Sequence, residues 1–364
     1  MKILYVTTVG ITMRFFEQFI KKLLEEGHSV DIATNEDDFH VPECYRNWNC
    51  TVYQINTSRS PLSVGNVKAI KEIKKIAETN SYDIIHCHTP IAAMCTRLAC
   101  QKVRKHGTRV IYTAHGFHFY KGAPKKNWLL FYPIEKICSY FTDVLITINR
   151  EDFCLARERM CAKETIYVPG VGIDLSDFDI DYAERNIIRN NLGVSEEVVL
   201  FSVGELNVNK NHEVVIRAIA DMDNICYLIA GEGALREHLT EVIASLGMQD
   251  RVHLLGFCDD LKKLYRAADV FVFPSHREGL SVSLMEAMAS GLPVACSRIR
   301  GNVDLVDELG GKFFDSMSVQ ACRSAIMDVL AESTSALGKH NAEKVKEFSL
   351  EKVIEEMYRV YGLA

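Results

Sequence analysis

The chain has 364 residues, of which 48% are hydrophobic and 25% charged, and its formal net charge is −6. This length and composition suit two globular domains that each bury a core. No run approaches the roughly 18 apolar residues of a membrane-spanning helix, and the apolar start Ile3–Val9 is too short for a signal peptide. The twelve cysteines form no CxxC pair, which favours free thiols in a reducing cytosol over disulfides. We therefore expect a cytoplasmic protein.

The charge is divided unevenly along the chain. Residues 1–170 contain 23 Lys and Arg against 17 Asp and Glu, a net charge of +6. The remaining residues contain 19 basic and 31 acidic side chains, a net charge of −12. This asymmetry predicts that the basic half faces an anionic partner.

The first half alternates between strand-like and helix-like patterns. Its strand-like runs are Lys2–Thr8, Ser29–Thr34, Thr51–Ile55, Tyr82–Cys87, Arg109–Thr113, Asp143–Ile148 and Thr165–Pro169. Its helix-like runs are Met13–Glu26, Val64–Glu78, Ile91–His106, Lys125–Phe141 and Arg150–Cys161. This alternation predicts an α/β domain with a parallel, doubly wound sheet.

The alternation stops at Pro169–Gly172 and the aspartates Asp174, Asp177, Asp179 and Asp181, which we interpret as a linker. It then resumes with strands at Val198–Val203, Cys226–Ala230, Val252–Leu255, Asp269–Phe273 and Pro293–Cys296. Helices are predicted at Glu213–Ala220, Ala234–Leu246, Asp260–Ala267 and from Ser281 or Ser283 to Ala289. A turn-rich segment, Gly301–Asp315, precedes a helical end, Val319–Tyr361, with a break at Phe348–Ser349. The sequence thus predicts domains at residues 1–170 and 171–348, with a helix at about 349–364 that packs back on the first.

Charged residues follow two strands of the second domain. Glu278 lies on the loop after Asp269–Phe273, and Glu286 follows eight positions later in the opening turns of a helix. Lys210 ends the loop after Val198–Val203. Since ligands of parallel sheets bind at the carboxyl ends of strands, we expect these side chains to contribute to one site.

A nucleotide-sugar is the ligand that needs all of these groups. Carboxylates accept paired hydrogen bonds from the vicinal hydroxyls of ribose or a sugar, whereas a lysine and a helix N-terminus bind a pyrophosphate. Taken singly, each of these charged residues also fits an ordinary solvated surface position. Gly231 and Gly233 follow a strand and open a helix, but this short glycine motif is weak and fits a tight turn equally well.

Four segments resemble a known enzyme family. They are EGLSVSLMEAMASGLPV around the two glutamates, the loop GELNVNKNH, the linker YVPGVGID and the segment YTAHGFHFYKGAP. The chain resembles the retaining glycosyltransferases of family 4, of the capsular and exopolysaccharide biosynthesis type. The resemblance implies the GT-B fold, in which two Rossmann-like domains face each other across a cleft. The first domain would bind the acceptor and the second the nucleotide-sugar donor.

The resemblance also assigns roles to residues of the donor site. It implies that Glu286 holds the nucleotide ribose, that Glu278 contacts the donor sugar and that Lys210 holds the diphosphate. Backbone amides would lie nearby at Gly279, Leu280 and Ser281. Family members commonly carry an arginine where this chain has Glu205. Either Arg277 or Arg300 replaces that cation, or the diphosphate is held with one cation fewer.

In the first domain, the resemblance places His115 near the transferred sugar, with His118 as the alternative. Gly10, on the loop after the first strand, would let the backbone approach the donor, although the usual Gly-Gly pair is absent. His86-Cys-His88 lacks the further ligands of a metal site and is interpreted as structural.

The segment Tyr120–Phe141 combines Lys121, Lys125 and Lys126 with aromatic and apolar residues. Such an amphipathic helix can lie on an anionic membrane surface or pack on a core, and the net charge of +6 favours the membrane. The lysine-rich helix Val64–Glu78 is a candidate extension of this patch. We expect a peripheral location at the inner face of the cell membrane.

These features predict transfer of a sugar, with retention, from a UDP-sugar to a hydroxyl of a polyprenyl-diphosphate-linked saccharide in cell-surface polysaccharide assembly. The nucleotide-sugar is a substrate and no cofactor is expected. No DxD-like pair sits where a metal ion would bridge the phosphates, which predicts metal-independent catalysis. No nucleic-acid partner is expected. Two alternatives remain: a UDP-N-acetylglucosamine 2-epimerase of the same fold, and a non-catalytic nucleotide-sugar-binding subunit.

Overall fold

The computed structural model describes residues 1–58, 60, 63–178, 184–194 and 196–363. The chain divides into two compact units, which we call the N-terminal unit (Met1–Val171 with Val353–Ala364) and the C-terminal unit (Gly172–Lys352). The division thus falls one residue after the predicted boundary at residue 170. Asp179 and Asp181 of the predicted linker lie outside the described residues.

The N-terminal unit contains a parallel sheet. Its strands are β1 Lys2–Val6, β2 Ser29–Thr34, β3 Val52–Gln54, β4 Ile84–His88, β5 Arg109–Ala114, β6 Val144–Thr147 and β7 Glu164–Tyr167. They form a seven-stranded sheet in the order β3-β2-β1-β4-β5-β6-β7. The central strands are buried along almost their whole length, which explains why they appear in the sequence as continuous apolar runs.

Helices connect these strands. They are α1 Glu17–Glu25, α2 Cys44–Asn47, α3 Gly65–Asn80, α4 Pro90–Ala99, α5 Gln101–Lys105, α6 Lys125–Ser139 and α7 Arg150–Arg159. The predicted helix Met13–Glu26 begins instead as a 3-10 helix, Gly10–Phe16, which leads into α1. The predicted helix Ile91–His106 is divided at Cys100 into α4 and α5.

The C-terminal unit repeats the architecture. Its strands are β8 Val198–Val203, β9 Ile225–Ala230, β10 Val252–Gly256, β11 Val270–Phe273, β12 Val294–Ser297 and β13 Gly311–Phe314. They form a six-stranded parallel sheet in the order β10-β9-β8-β11-β12-β13, and two apolar clusters bury its residues. The predicted doubly wound, parallel architecture is therefore confirmed in both units.

Its helices are α8 Arg185–Asn191, α9 His212–Ala218, α10 Arg236–Ser245, α11 Leu261–Ala267, α12 Val282–Ala289, α13 Asn302–Leu305, α14 Val319–Ala331 and α15 Thr334–Lys344. The segment predicted to be turn-rich, Gly301–Asp315, contains α13 and β13, and β13 completes the sheet. Gly311 lies in β13, where a β-carbon would lie 2.1 Å from the carbonyl oxygen of Val294. Glycine is therefore required by close strand packing, although it is typical of turns in a sequence.

The last helix, α16 Leu350–Tyr361, follows the break predicted at Phe348–Ser349. From Val353 onward it belongs to the N-terminal unit. The hydroxyl of Tyr361 lies 2.8 Å from that of Tyr5, and Arg109 donates a hydrogen bond of 2.7 Å to the carbonyl of Val360. In the part of the chain that the structure describes, no helix combines the length and apolar character needed to cross a bilayer.

Candidate active site

The loops that follow β8 and β11 form the centre of the site. Nζ of Lys210 lies 2.8 Å from Oε1 of Glu278, and both side chains are largely buried. The loops are also joined through their backbones, because the amide of His276 donates to the carbonyl of Asn209 at 2.8 Å. The side chain of Asn209 in turn donates to the carbonyl of Arg277 at 3.0 Å. Parallel strand order thus brings together two residues that are 68 positions apart.

Asn211 fixes the end of the Lys210 loop. It has a φ of 52°, a left-handed conformation that asparagine tolerates better than most residues. Its side-chain amide donates to the carbonyl of Ser316 at 2.8 Å. This bond ties the loop to the segment that precedes α14 and so restricts the position of Lys210.

Helix α12 begins at Val282, four positions after Glu278. Ser281 caps it, with an extended backbone and a hydroxyl that accepts a hydrogen bond of 3.4 Å from the amide of Leu284. The predicted start at Ser281 or Ser283 is therefore confirmed. The amides of Gly279 and Leu280 precede this cap, where the positive end of the helix dipole favours an anion.

Glu286 lies on α12 and contacts Tyr265 of α11. The buried hydroxyl of Tyr265 lies 2.9 Å from Oε2 of Glu286 and 3.0 Å from the carbonyl of Ser283. Burial raises the pKa of the Glu286 carboxyl, an effect that Tyr265 and Lys262 partly offset. Nothing in the sequence marks Tyr265, since its contact with Glu286 depends on how α11 packs against α12.

Arg300 is the cation that the fold places beside the Glu278 loop. It is 7% exposed, and its Nε donates to the carbonyl of Glu278 at 3.2 Å. The neighbouring Gly301 packs so closely that a β-carbon would lie 2.2 Å from the carbonyl oxygen of Gly279. Arg277 and Glu205, in contrast, are exposed. Of the two candidate cations, Arg300 is therefore the one that is fixed at the site.

The glycine pair after β9 serves close packing. A β-carbon on Gly231 would lie 1.9 Å from the carbonyl oxygen of Gly204, and one on Gly233 would lie 2.5 Å from that of Leu206. These glycines let the segment that follows β9 pack directly on the loop that leads to Lys210. Close packing therefore requires both glycines, in addition to any turn that they form.

Gly10 makes a similar close approach within the N-terminal unit. Its amide donates to the carbonyl of Asn35 at 2.9 Å, and a β-carbon there would lie 2.4 Å from the carbonyl oxygen of Phe39. Packing on this neighbouring loop is sufficient to require glycine. A contact of Gly10 with a donor stays a prediction.

His115 follows β5 and lines a cavity of about 40 Å³ within the N-terminal unit. Its Nε2 lies 3.1 Å from Nδ1 of His88, the last residue of β4. Burial lowers the pKa of His115 to about 4, so its imidazole is neutral near pH 7. His118 instead stacks on Phe131, with ring centroids 4.4 Å apart. The two candidate histidines therefore have different surroundings: His115 lines the cavity, whereas His118 packs on Phe131.

Helix α6 and its C-terminal capping residue, Tyr140, expose an apolar stripe. Leu129 is 81% exposed, Ile137 57% and Tyr140 59%. Arg97 holds the opposite side of the helix through an ion pair of 2.9 Å with Glu135. The segment therefore packs on the core with one face and leaves an apolar face in solvent.

Comparison with known proteins shows the family to which the chain belongs. Residues 2–149 match the model "Glycosyl transferase 4-like", and residues 184–347 match "Glycosyl transferases group 1". EpsD of Bacillus subtilis (strain 168), which is named as a glycosyltransferase, is 35% identical over 99% of this chain and 96% of its own length. The chain belongs to glycosyltransferase family 4. The protein is thus a glycosyltransferase.

Further relatives describe the range of this family. The UDP-Gal:alpha-D-GlcNAc-diphosphoundecaprenol alpha-1,3-galactosyltransferase of Escherichia coli is 27% identical to this glycosyltransferase over 83% of the chain and 82% of its own length. Among solved structures, Anabaena Alr3699/HepE in complex with UDP has a TM-score of 0.84 at 18% identity, with 100% of both chains covered. Its complex with UDP and glucose has a TM-score of 0.82 at the same identity and coverage. These similarities show the GT-B fold.

Within the described residues, no group of three or more His, Cys, Asp or Glu side chains has the arrangement of a metal site. Of the residues predicted from sequence, the fold brings Lys210 and Glu278 into direct contact beside the start of α12. The ligands assigned to these residues remain predictions. The structure adds two residues to those predicted: Tyr265, which contacts Glu286, and His88, which contacts His115. It also favours Arg300 over Arg277 as the cation beside the Glu278 loop.

Proposed function

We propose that this glycosyltransferase moves a sugar from a UDP-sugar to a hydroxyl of a polyprenyl-diphosphate-linked saccharide, with retention at the anomeric carbon. The observation that carries the proposal is the contact between Lys210 and Glu278 beside the N-terminus of α12. A cation and free amides suit a diphosphate, and a carboxylate next to them suits the hydroxyls of an attached sugar. The UDP in the Anabaena structures and the lipid-linked substrate in the Escherichia coli relative's name support this choice.

In the proposed donor complex, Glu286 binds the ribose hydroxyls and Lys210 binds the diphosphate. The amides of Gly279, Leu280 and Ser281 contact the same phosphates. Glu278 orients the sugar, and His115 contacts it as well.

Arg300 supplies the second positive charge in place of the family arginine that Glu205 replaces. Its Nε is already bonded to the carbonyl of Glu278, which keeps the guanidinium beside the Glu278 loop. A fixed guanidinium loses little further side-chain entropy when an anion binds, which favours this assignment over the exposed Arg277.

Retention is proposed to arise from attack on the face that the leaving group occupies. The bond between the anomeric carbon and the phosphate oxygen breaks, and the acceptor oxygen bonds to that carbon from the same side. The acceptor's hydroxyl proton passes to the departing phosphate oxygen. Lys210, Arg300 and the α12 amides stabilise the charge that develops on the diphosphate.

We propose that this charge stabilisation needs no metal ion and that no cofactor takes part. Activity in the presence of excess EDTA, equal to that in its absence, is the expected result. A loss of activity that manganese restores would contradict metal independence.

We propose that α6 binds the membrane surface on which the lipid-linked acceptor lies. Leu129, Ile137 and Tyr140 present apolar area, and exposed Lys125 and Lys126 lie at the start of the same helix. Such a combination binds anionic interfaces through apolar burial and charge together. Co-sedimentation with phosphatidylglycerol vesicles, but not with phosphatidylcholine vesicles, is expected.

The double variant Leu129→Glu with Ile137→Glu should abolish that co-sedimentation. Val319→Glu with Met327→Glu is the matched control, because it places the same two charges at exposed apolar positions of α14. Equal binding of the double variant and the control would contradict a role for α6.

A transfer assay tests the reaction itself. UDP-sugars are incubated with a polyprenyl-diphosphate-linked monosaccharide, and the product's anomeric configuration is determined by NMR. Transfer with the configuration of the donor is expected. An epimerised UDP-sugar formed without acceptor, or UDP binding with no transfer to any acceptor, would contradict the proposal.

A further inference from the structure

Three histidine rings line up at the carboxyl ends of β4 and β5. The ring centroids of His86 and His88 lie 4.1 Å apart, and those of His88 and His115 lie 5.4 Å apart. His86 has partners at both nitrogens: Nδ1 lies 2.7 Å from the Tyr361 hydroxyl, and Nε2 lies 2.8 Å from the Thr113 hydroxyl. These bonds tie β4 to β5 and α16, so His86 has a structural role.

His88 differs from His86 because only one of its nitrogens is bonded. Its Nδ1 lies 3.1 Å from Nε2 of His115, while its own Nε2 is buried without a partner among the described residues. Tyr5 stacks on the ring at a centroid distance of 5.3 Å, and Phe16 packs against it at 4.2 Å. These aromatic contacts hold the ring in its position.

The buried surroundings decide which nitrogen of each ring carries the proton. Burial lowers the pKa of His115 to about 4 and that of His88 well below its ordinary value, so each ring has a single N–H near pH 7. If His115 donated the shared hydrogen bond, the proton of His88 would lie on Nε2, where it meets no acceptor. Buried N–H groups without a partner are rare in folded proteins and costly. His88 therefore donates from Nδ1 to Nε2 of His115.

We propose that His88 is a positioning residue that holds His115 with its proton on Nδ1, as a hydrogen-bond donor to an oxygen of the transferred sugar. This inference rests on the proposed function, since the sugar is the partner assigned to His115. His115 is half-buried, and Nδ1 is the nitrogen that the bond to His88 leaves available. A donor at this position binds a sugar hydroxyl and does not accept the acceptor's proton, consistent with proton transfer to the leaving phosphate.

Nitrogen-15 NMR of the full chain labelled at histidine tests the proton positions without any assay of activity. His115 and His88 are each expected to show a pyrrole-type Nδ1 and a pyridine-type Nε2 at pH 7.5. In His88→Phe, His115 should lose the acceptor role of Nε2 and shift towards the other tautomer. A pyrrole-type Nε2 for His115 in the unmodified protein would overturn the inference.

Two variants test the positioning role through kinetics. His88→Phe preserves the ring between Tyr5 and Phe16 but removes the donor, so kcat/KM for the UDP-sugar should fall about tenfold, the value of one hydrogen bond. UDP lacks the sugar, so its dissociation constant should stay the same. His88→Asn has a side-chain N–H near the position of Nδ1 and should recover most of the loss despite its smaller side chain.

Three outcomes separate this inference from the proposed function. Full activity in His88→Phe would overturn the positioning role. A loss in His88→Phe that His88→Asn does not recover would indicate ring packing and would also overturn it. An unmodified protein that transfers no sugar would refute the proposed function, whereas the His115 tautomer would remain measurable.

Discussion

Replacement of Glu286 by glutamine is the sharpest test of the donor site, because one atom exchange removes a charge and preserves shape. In the folded protein the carboxylate is largely buried and lies 2.9 Å from the hydroxyl of Tyr265. The other oxygen, Oε1, is the one that we assign to a ligand. We propose that it receives hydrogen bonds from the ribose hydroxyls of UDP.

The size of the effect follows from hydrogen-bond strengths. A hydrogen bond to a charged group contributes about 1.5–3 kcal/mol, and one between neutral groups contributes about 0.5–1.5 kcal/mol. Glutamine replaces the charged acceptor by a neutral one, which loses about 1–1.5 kcal/mol for each hydrogen bond to the ribose. With one or two such bonds, Glu286→Gln should lose about 1–3 kcal/mol, which weakens UDP binding about 5- to 150-fold. Isothermal titration calorimetry with UDP at pH 7.5 measures this change.

The same variant should unfold at a higher temperature. Since burial raises the pKa of Glu286 above its value in the unfolded chain, the proton favours the folded state. That stabilisation is present below the unfolded pKa and is lost as pH rises through the folded pKa. At pH 7.5 the ionised carboxylate therefore opposes folding, and glutamine removes this cost. The gain in Tm should shrink as pH falls towards about 4.3, the ordinary pKa of glutamate.

Glu241→Gln is the matched control, because Glu241 is an exposed residue of α10 in the same unit. It should change neither the UDP affinity nor the pH dependence of Tm. UDP binding by Glu286→Gln within about twofold of the unmodified protein would refute the ribose assignment, since it corresponds to less than one neutral hydrogen bond.

Four other changes have distinct expected outcomes. Glu278→Ala should lower kcat for sugar transfer about 100-fold with a smaller effect on UDP affinity, because the carboxylate is assigned to the sugar; steady-state kinetics and UDP titration separate the two effects. Lys210→Met should weaken UDP binding and flatten its dependence on ionic strength, measured by titrations between low and high salt. Arg97→Met leaves Glu135 as an unpaired buried charge, so urea unfolding should show a loss of about 3–5 kcal/mol, most of which the added change Glu135→Leu should recover. His118→Phe preserves an aromatic ring in the stack with its neighbour, so kcat should stay within about twofold, and a large loss would instead assign the active-site histidine to His118.

The strand pattern was the most predictable part of the fold. β2 and β8 have the bounds that the sequence predicts, because strands of a parallel sheet are buried on both faces and appear as continuous apolar runs. Helix α8 could not be predicted in this way. Its sequence is RNIIRNN, and Arg185 and Arg189 hold it through ion pairs with Asp269. An anchor of this kind produces no apolar periodicity.

The candidate site was predictable to the extent that strand order determines it. Lys210 and Glu278 each follow a strand, and the pairing of β8 with β11 places their loops together. The roles of Tyr265 and His88 depend on tertiary contacts that local sequence does not contain. Tyr265 reaches Glu286 across two packed helices, and the isolated nitrogen of His88 follows from the aromatic rings around it.

The charged residues of the proposed donor site affect ligand binding and fold stability in different ways. Lys210 and Glu278 lie 2.8 Å apart, so each offsets much of the other's charge before a ligand binds. A diphosphate attracts the lysine but is repelled by the glutamate, unless sugar hydroxyls give that carboxylate donors of its own. In the proposed donor site, we therefore expect the pair to favour a diphosphate with an attached sugar over a bare nucleotide. Glu286, in contrast, keeps its charge at a cost in fold stability, as expected of a side chain retained for a ligand and not for packing.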